Sequence, residues 1–387
     1  MRTALGRGLA APALAFAAAI AAAMIAAPGA YADSVRDAEW HVRYLHVEEA
    51  QQHATGDGVV VAVLDSGVDA SHPDLTGSIL PGLSAVGGDE LARFDADGRG
   101  TALAGLIAAH GHGTGNADGV MGLAPRAKVL PVLVTGGTAT GGPSTPAGPP
   151  TDDPDAVARG IQVALRNGAK VICIGRSVPA SGPLHDAVEA ARRADAVIVA
   201  ADANNRAGED FAAYPAGYEG VLAAAPMNRD LTVTVASKSG RPLALAVPGV
   251  DVVTTNTGGG YRIDSGAVAA GILAGAVALV RSAYPGLAAD EIVRRLTATA
   301  VDAGPTGRDE LYGYGQLDLL AALTKAVVPL HGPSSPPTPA PTTSPSAPPA
   351  APAGRPRGPL GWLVVLPLLG VIGGLGWYAW RAEKAIR

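Results

Sequence analysis

The alternation of short apolar runs with helix-like segments between residues 33 and 328 is the feature that most restricts the fold of this chain. This order is typical of parallel β/α units. The strand-like runs are Val59–Leu64, Ala127–Val134, Lys170–Ile174, Ala196–Ala201, Val221–Ala225 and Leu243–Val247. The helix-like segments are Leu103–His110, Asp155–Asn167, Leu184–Arg193, Val268–Tyr284 and Ala288–Ala298. The sequence therefore predicts one α/β domain with a mainly parallel sheet.

The first 32 residues are typical of a secretory signal peptide. Arg2 and Arg7 precede an almost wholly apolar stretch from Leu9 to Ala27, and Ala30-Tyr31-Ala32 comes next as an A-x-A cleavage pattern. An uncleaved signal anchor is the alternative interpretation. Both interpretations predict export of the folded part.

The apolar segment Leu360–Trp380 carries no charge and is long enough to cross a hydrocarbon core of ~30 Å. Trp362 and Trp377 lie near its two ends, as interfacial aromatic residues do, and the basic tail 381–387 comes directly after it. These features predict a transmembrane helix with a short cytoplasmic tail. A buried core helix is the alternative, but a non-globular segment precedes it.

That preceding segment, 329–359, consists mostly of Pro, Ser, Thr and Ala, a composition that favours an extended linker over a packed core. The predicted organisation is a signal peptide (1–32), an ectodomain (33–328), a linker (329–359), a transmembrane helix (360–380) and a tail (381–387). We therefore expect a single-pass protein of the cell membrane with an extracytoplasmic ectodomain. The net charge of −5, with no basic block in the ectodomain, gives no reason to expect nucleic acid as a partner.

Several motifs in the ectodomain occur in the order of a known family. Val61 to Asp69, together with the next motif His72-Pro73-Asp74-Leu75, resembles the aspartate segment of the subtilisin-like (S8) serine peptidases. Further matches are Gly98–Thr101, Ala104-Gly105, Gly119–Pro125, Tyr214–Ala216, Val247–Val252, Ala274-Gly275, Tyr284-Pro285 and Tyr312–Gly315. The resemblance covers the entire ectodomain. It implies a subtilisin-like three-layer α/β fold, with a mainly parallel sheet flanked by helices.

Within that family, the arrangement of segments is most similar to the mycosins of actinobacterial type VII secretion. Those proteins also combine a signal peptide, a peptidase domain, a proline-rich linker and one C-terminal membrane helix. The stretch between Asp33 and Asp65 is too short for the folded propeptide of secreted subtilisins. The resemblance implies protein or peptide partners, with type VII secretion components as candidates, and no cofactor.

The resemblance also assigns the catalytic positions of a serine peptidase, which needs a nucleophilic serine, a histidine base, an orienting aspartate and oxyanion donors. Asp65 occupies the aspartate position, Arg99 the histidine position and Ala267 the serine position. Asn204 occupies the oxyanion position, with Asn205 one register away. A guanidinium stays protonated and cannot act as a base, and a methyl group is no nucleophile. We therefore expect an ion pair between Arg99 and Asp65 and a loss of catalysis.

Three other residues are candidates to replace the missing groups. His112 lies in His110-Gly111-His112-Gly113-Thr114, which resembles the histidine motif, but a Gly-rich stretch comes after it where the family has a helix. We interpret His110 and His112 as an exposed loop feature; a metal site formed with Asp118 is the alternative. Ser265 lies two residues before Ala267, on a different face of a helix. Cys173, the only cysteine, is expected to be a buried core residue.

These positions predict a pseudoprotease, a subtilase fold kept for binding or assembly. One alternative is an active S8 serine endopeptidase with a rebuilt catalytic site. Another is a metal-dependent hydrolase that uses His110 and His112. Arg176 lies just after the strand that faces substrate in the family, at Cys173-Ile174-Gly175-Arg176-Ser177, and this departure puts ordinary peptide binding in doubt.

Overall fold

The computed structural model describes residues 35–87, 92, 94, 95, 97–135, 153–201, 214–234, 244–328 and 330. All of them belong to Met1–Gly332, one of the two compact units into which the chain divides. The predicted signal peptide, the segment Leu360–Trp380 and all of the linker except Leu330 lie outside the described residues. Among the residues that are described, no helix is long and apolar enough to span a membrane.

The order of helices and strands agrees with the alternation that the sequence predicts. The helices are α1 (Trp40–Tyr44), α2 (Val47–Ala50), α3 (Arg99–Ala108), α4 (Pro154–Arg166), α5 (Gly182–Arg193), α6 (Val268–Ala283), α7 (Ala289–Ala298) and α8 (Leu319–Thr324). The strands are β1 (Val60–Asp65), β2 (Leu83–Ser84), β3 (His110–His112), β4 (Asp118–Met121), β5 (Lys128–Leu133), β6 (Val171–Ile174), β7 (Val197–Ala201), β8 (Val221–Met227), β9 (Ala244–Pro248), β10 (Val252–Thr255) and β11 (Tyr261–Asp264).

Seven of these strands form one sheet in the order β2-β5-β1-β6-β7-β8-β9. Each neighbouring pair in it is parallel. Two antiparallel pairs, β3–β4 and β10–β11, lie outside this sheet. The prediction of a mainly parallel sheet is confirmed.

Helices cover both faces of the sheet, because successive side chains of a strand point to opposite faces. Val61 and Val63 of β1 belong to a core cluster that also contains buried residues of α3 and α6. Ala62 and Leu64 of the same strand belong to a second cluster, which contains buried residues of α4 and α5. The fold is thus the three-layer arrangement expected from the motifs.

The predicted boundaries differ most at α3. The sequence pattern predicts a helix from Leu103 to His110, whereas α3 begins at Arg99 and ends at Ala108. Gly98, with φ at +79°, precedes the helix in a left-handed conformation that favours glycine. Ala109 is extended, and His110 already begins β3. The family motif around Arg99 therefore lies on the first turn of the helix.

Candidate active site

Asp65 ends β1, a central strand of the sheet, and its side chain is fully buried. Its Oδ1 accepts hydrogen bonds from the backbone N–H of Ser66 at 2.8 Å and from Nε of Arg99 at 3.2 Å. Burial raises the pKa of Asp65 to about 6, although the charge of Arg99 acts in the opposite direction. The charge of Arg99 therefore stabilises the ionised form of the buried Asp65 carboxyl group.

Arg99, which the sequence motif predicts at the histidine position, reaches two carboxylates. Its Nε lies 3.2 Å from Asp65 Oδ1, and its Nη2 lies 3.0 Å from Asp97 Oδ2. Partial burial disfavours the charged guanidinium, but Asp65 and Asp97 outweigh this effect and raise the pKa of Arg99. The predicted ion pair with Asp65 is present. Asp97, which sequence reasoning missed, shares the cation.

A third carboxylate, that of Asp95, lies in the same loop and is almost fully buried. Its Oδ2 accepts hydrogen bonds from both the backbone N–H and the hydroxyl of Thr101, each at 2.7 Å. The Ser66 hydroxyl lies 2.7 Å from Oδ1 of Asp95 and from Oδ1 of Asp97. The acidic run before Gly98 was the signal that could have identified these residues. Three carboxylates thus surround the start of α3, and Arg99 is the cation that contacts two of them.

Ala267 directly precedes α6 and is half-buried. Its methyl group supplies neither a nucleophile nor a proton. Ser265, two residues upstream, is exposed, and its hydroxyl accepts a hydrogen bond from the backbone N–H of Asp251 at 3.0 Å. The Ser265 side chain therefore stabilises a turn between β9 and β10.

Strand β11 connects the loop before α3 with the loop before Ala267. Arg262 donates from Nη1 to the carbonyl oxygen of Asp97 at 3.0 Å, and its Nη2 lies 3.1 Å from Asp264 Oδ2. Asp264 Oδ1 in turn accepts from the backbone N–H of Ser265 at 2.8 Å. Sequence reasoning did not identify Arg262. A continuous chain of polar contacts therefore leads from Asp65 to Ser265, two residues before Ala267.

Arg176 lies just after β6 and is 6% exposed. The preceding Gly175 packs against the site, because a Cβ atom there would lie 2.7 Å from Leu103 Cδ1 and 3.1 Å from Asp65 Oδ2.

Cys173 is fully buried, and burial raises the pKa of its thiol, so it is the inert core residue that the sequence predicted. Asn204 and Asn205 lie outside the described residues.

The interpretation of His110 and His112 as an exposed loop feature is wrong. Both residues lie on β3, which pairs antiparallel with β4, and both are half-buried. His112 Nδ1 lies 2.5 Å from Oδ1 of Asp74, so this histidine faces Asp74 and not Asp65. Gly111, with a positive φ, lies at the irregularity in strand register between His110 and His112, and Gly113 and Gly115 adopt positive φ values in the connection to β4. In the part of the chain that the structure describes, no group of three His, Cys, Asp or Glu residues could hold a metal ion.

Comparison with known proteins agrees with this geometry. The model of the subtilase family, peptidase family S8, matches residues 56–315. Subtilisin Savinase of Lederbergia lenta is 35% identical over 286 residues, which cover 73% of this chain and 97% of the relative. A thermostable alkaline protease of Halalkalibacterium halodurans is 34% identical over 279 residues, 71% of each chain.

Solved structures of mycosins are also similar. MycP1 from Mycobacterium smegmatis superposes with a TM-score of 0.62 at 25% identity, covering 77% of this chain and 89% of the other. A MycP1 structure described as an essential component of the type VII (ESX-1) secretion system gives 0.62 at 27% identity, covering 74% and 88%. The matched motifs, the three-layer fold and the position of Asp65 at the end of β1 agree with these comparisons, and the chain belongs to the subtilase family of serine peptidases.

Proposed function

We propose that this protein is a pseudoprotease, a membrane-anchored, extracytoplasmic subtilase homologue that acts in binding or assembly. The observation that carries the proposal is the contact of the Arg99 guanidinium with Asp65 at 3.2 Å and with Asp97 at 3.0 Å. In a working member of the family, the aspartate would orient an imidazole that takes the serine proton. In this chain Asp65 instead contacts the guanidinium of Arg99, which stays protonated.

The second support is Ala267. Without a hydroxyl at this position no acyl-enzyme forms, and without an imidazole at position 99 no base would generate one. Loss of either the serine or the histidine lowers turnover about 10⁶-fold in subtilisin. Both groups are missing in this chain, and neither Ser265 nor His112 is placed to replace them.

Membrane anchoring rests on the apolar segment Leu360–Trp380 and the basic tail directly after it. The proposed partners are components of a type VII secretion system, with no nucleic acid and no cofactor. The similarity to MycP1, described as an essential component of such a system, supports this choice.

Catalysis is tested with a fluorophosphonate probe and with casein, using the full-length chain in detergent and Subtilisin Savinase as the positive control. We expect neither labelling nor cleavage. A matched variant, Ala267→Ser, should also remain unlabelled, because Arg99 would still be unable to remove the serine proton. Probe-sensitive cleavage by the unmodified protein would establish the alternative, an active S8 endopeptidase with a rebuilt site.

The assembly role is tested by purifying type VII secretion complexes from cells that produce either the full-length chain or a chain ending at Val328. We expect the full-length chain to fractionate with membranes and to co-purify with the complex. Absence of the full-length chain from complexes that contain their other subunits would contradict this partner assignment.

A further inference from the structure

Strand β11 is the outer strand of the antiparallel β10–β11 pair. Its partner β10 lies against α3, because the hydroxyls of Thr254 and Thr255 donate to the carbonyl oxygens of Ala102 and Thr101, each at 2.7 Å. Among the described residues, no further strand pairs with β11 on the side away from β10. An unpaired strand edge offers its backbone N–H and carbonyl groups to a strand of another molecule.

The backbone of Ile263 points toward this free edge. Asn256 donates to the carbonyl oxygen of Gly260 at 2.7 Å, and two positions further along the register Thr254 lies opposite Arg262. In an antiparallel pair, residues that exchange hydrogen bonds alternate with residues whose N–H and carbonyl groups face away from the partner. The N–H and carbonyl oxygen of Ile263 therefore face away from β10. In the described part of the chain, neither group makes a hydrogen bond.

The side chains of β11 form a symmetric pattern about Ile263, which is 67% exposed. Arg262 and Asp264 flank it and lie on the opposite face of the strand, because side chains alternate along a strand. The Nη2 of Arg262 lies 3.1 Å from Asp264 Oδ2, and the two side chains remain 29% and 23% exposed. The strand thus presents a positive, an apolar and a negative residue in that order.

This order is complementary to itself when a second copy of the strand runs antiparallel. With Ile263 opposite Ile263 of the second copy, each Arg262 lies opposite the other copy's Asp264. The outward N–H and carbonyl groups of the two Ile263 residues then exchange two hydrogen bonds. Opposite charges that face each other across an antiparallel pair are favourable, and like charges are unfavourable. An unrelated partner would not require a self-complementary strand, so the pattern favours a second copy of this chain.

We propose that this protein forms a two-fold symmetric dimer through β11, in which the two β10–β11 pairs join into one four-stranded antiparallel sheet. Each copy contributes the same surface to such an interface. A stable interface buries at least about 1,200 Å², more than one short strand supplies. Phe94, 82% exposed, adds apolar surface beside β11, since it lies three residues before Asp97, whose carbonyl oxygen accepts from Arg262 at 3.0 Å.

The first test is disulfide cross-linking of the full-length chain in detergent, carrying Ile263→Cys. Cys173 is the only natural cysteine and is fully buried, so the new thiol is the accessible one. Residues opposite each other in a hydrogen-bonded antiparallel pair have Cα atoms about 5.5 Å apart, a distance that a disulfide spans. We expect mild oxidation to give a covalent dimer. Val301→Cys, at a position that is 52% exposed, is the matched control and should stay monomeric.

The second test reverses the charges that flank Ile263, with the dimer Kd measured by sedimentation of the full-length chain in detergent. Arg262→Asp and Asp264→Arg each place like charges opposite each other, so each variant alone should raise the Kd at least about tenfold. An equimolar mixture of the two variants should form a heterodimer with a Kd within about threefold of the wild type, because their strands carry opposite charges. Arg126→Asp, at an exposed arginine that pairs with Asp57, should leave the Kd unchanged.

Recovery in the mixture separates the proposed contact from the ion pair within one chain, which each variant lacks. Circular dichroism checks that both variants fold; if either does not, cross-linking of Ile263→Cys, which changes no charge, decides the question. A wild type that stays monomeric at every concentration, or one that cross-links through position 263 to a different protein, would overturn the proposal. So would a dimer whose Kd is unaffected by both reversals, since another surface would then hold the copies together.

Discussion

The guanidinium of Arg99 contacts the carboxylates of Asp65 and Asp97, and Asp95 lies in the same loop. Asp65 is fully buried and Asp95 nearly so. A buried carboxylate without its cation destabilises a fold more than an exposed one. Arg99 therefore supplies the positive charge that pairs with the buried carboxylate of Asp65.

The first prediction concerns this cation. Arg99→Ala should lower the free energy of unfolding by about 2 kcal/mol, because it leaves Asp65 buried without a partner. Arg126→Ala is the matched control, since it removes an ion pair with Asp57 in which both side chains are more than half exposed. The control should change stability little. Urea unfolding of both variants measures the difference, and equal effects would show that Arg99 is not a structural cation.

The second prediction is the pH dependence produced by Glu39 and His41, two buried residues in the N-terminal segment. Burial raises the pKa of Glu39 from 4.5 to about 8 and lowers that of His41 from 6.5 to about 3. The neutral carboxyl is favoured in the fold, so its stabilising effect is lost as pH rises from 4.5 to 8. The neutral imidazole is also favoured, so its effect is lost as pH falls below 6.5.

Between pH 4.5 and 6.5, rising pH lowers the unfolding free energy through Glu39 and raises it through His41. Of these two residues, only Glu39 changes the unfolding free energy between pH 6.5 and 8. Glu39→Gln should therefore flatten the decline in unfolding free energy between pH 6.5 and 8, since an amide accepts the Met121 hydrogen bond without titrating. Denaturant titrations at several pH values measure this slope. A Glu39→Gln variant with the same slope as the wild type would contradict the assignment.

At the scale of elements, helix boundaries depend on a few capping residues. Ser181 Oγ accepts a hydrogen bond from the backbone N–H of Leu184 at 3.2 Å and so caps α5. The same hydroxyl donates to Asp155 Oδ1 on α4 at 3.0 Å. One side chain therefore closes the end of α5 and links it to α4, the neighbouring helix on the same face of the sheet.

The third prediction concerns this cap. Ser181→Ala should lower stability by about 1 kcal/mol, the usual effect of losing an N-cap hydroxyl. A capping side chain could be added at α7. Its N-cap residue, Ala288, has an extended backbone and makes no side-chain hydrogen bond. Ala288→Ser should therefore raise stability, by less than about 1 kcal/mol. Thermal unfolding of the two variants should shift in opposite directions; a shift of the same sign would argue against capping as the cause.

The fourth prediction concerns the whole folded domain and its C-terminal boundary. In the described part of the chain, α8 comes last and ends at Thr324, and Val328 is 75% exposed, so we expect the folded domain to end by Val328. A chain ending at Val328 should be a soluble, folded domain when it is separated from the apolar segment Leu360–Trp380. Circular dichroism and size-exclusion chromatography measure this. Aggregation of the fragment would show that the boundary is wrong.

Periodicity and motif order were sufficient to predict the architecture, since both are local properties of the chain. The continuous apolar run Val59–Leu64 predicted a buried strand, and its flanking motif placed Asp65 at the carboxyl end. The spacing back from Ala274-Gly275 placed Ala267 directly before α6. The start of α3 was missed because Arg99, Gly100 and Thr101 carry no apolar periodicity, and the helix begins there after Gly98.

The sequence by itself determined the fold class and the order of the elements. Only the tertiary structure decided which charges meet: Asp97 shares Arg99 with Asp65, and His112 pairs with Asp74 across 38 positions of sequence. The physical reason is that charge pairing and burial depend on distances between separate segments, which only folding sets. Local patterns specify helices and strands, whereas the chemistry of a site depends on how those elements pack.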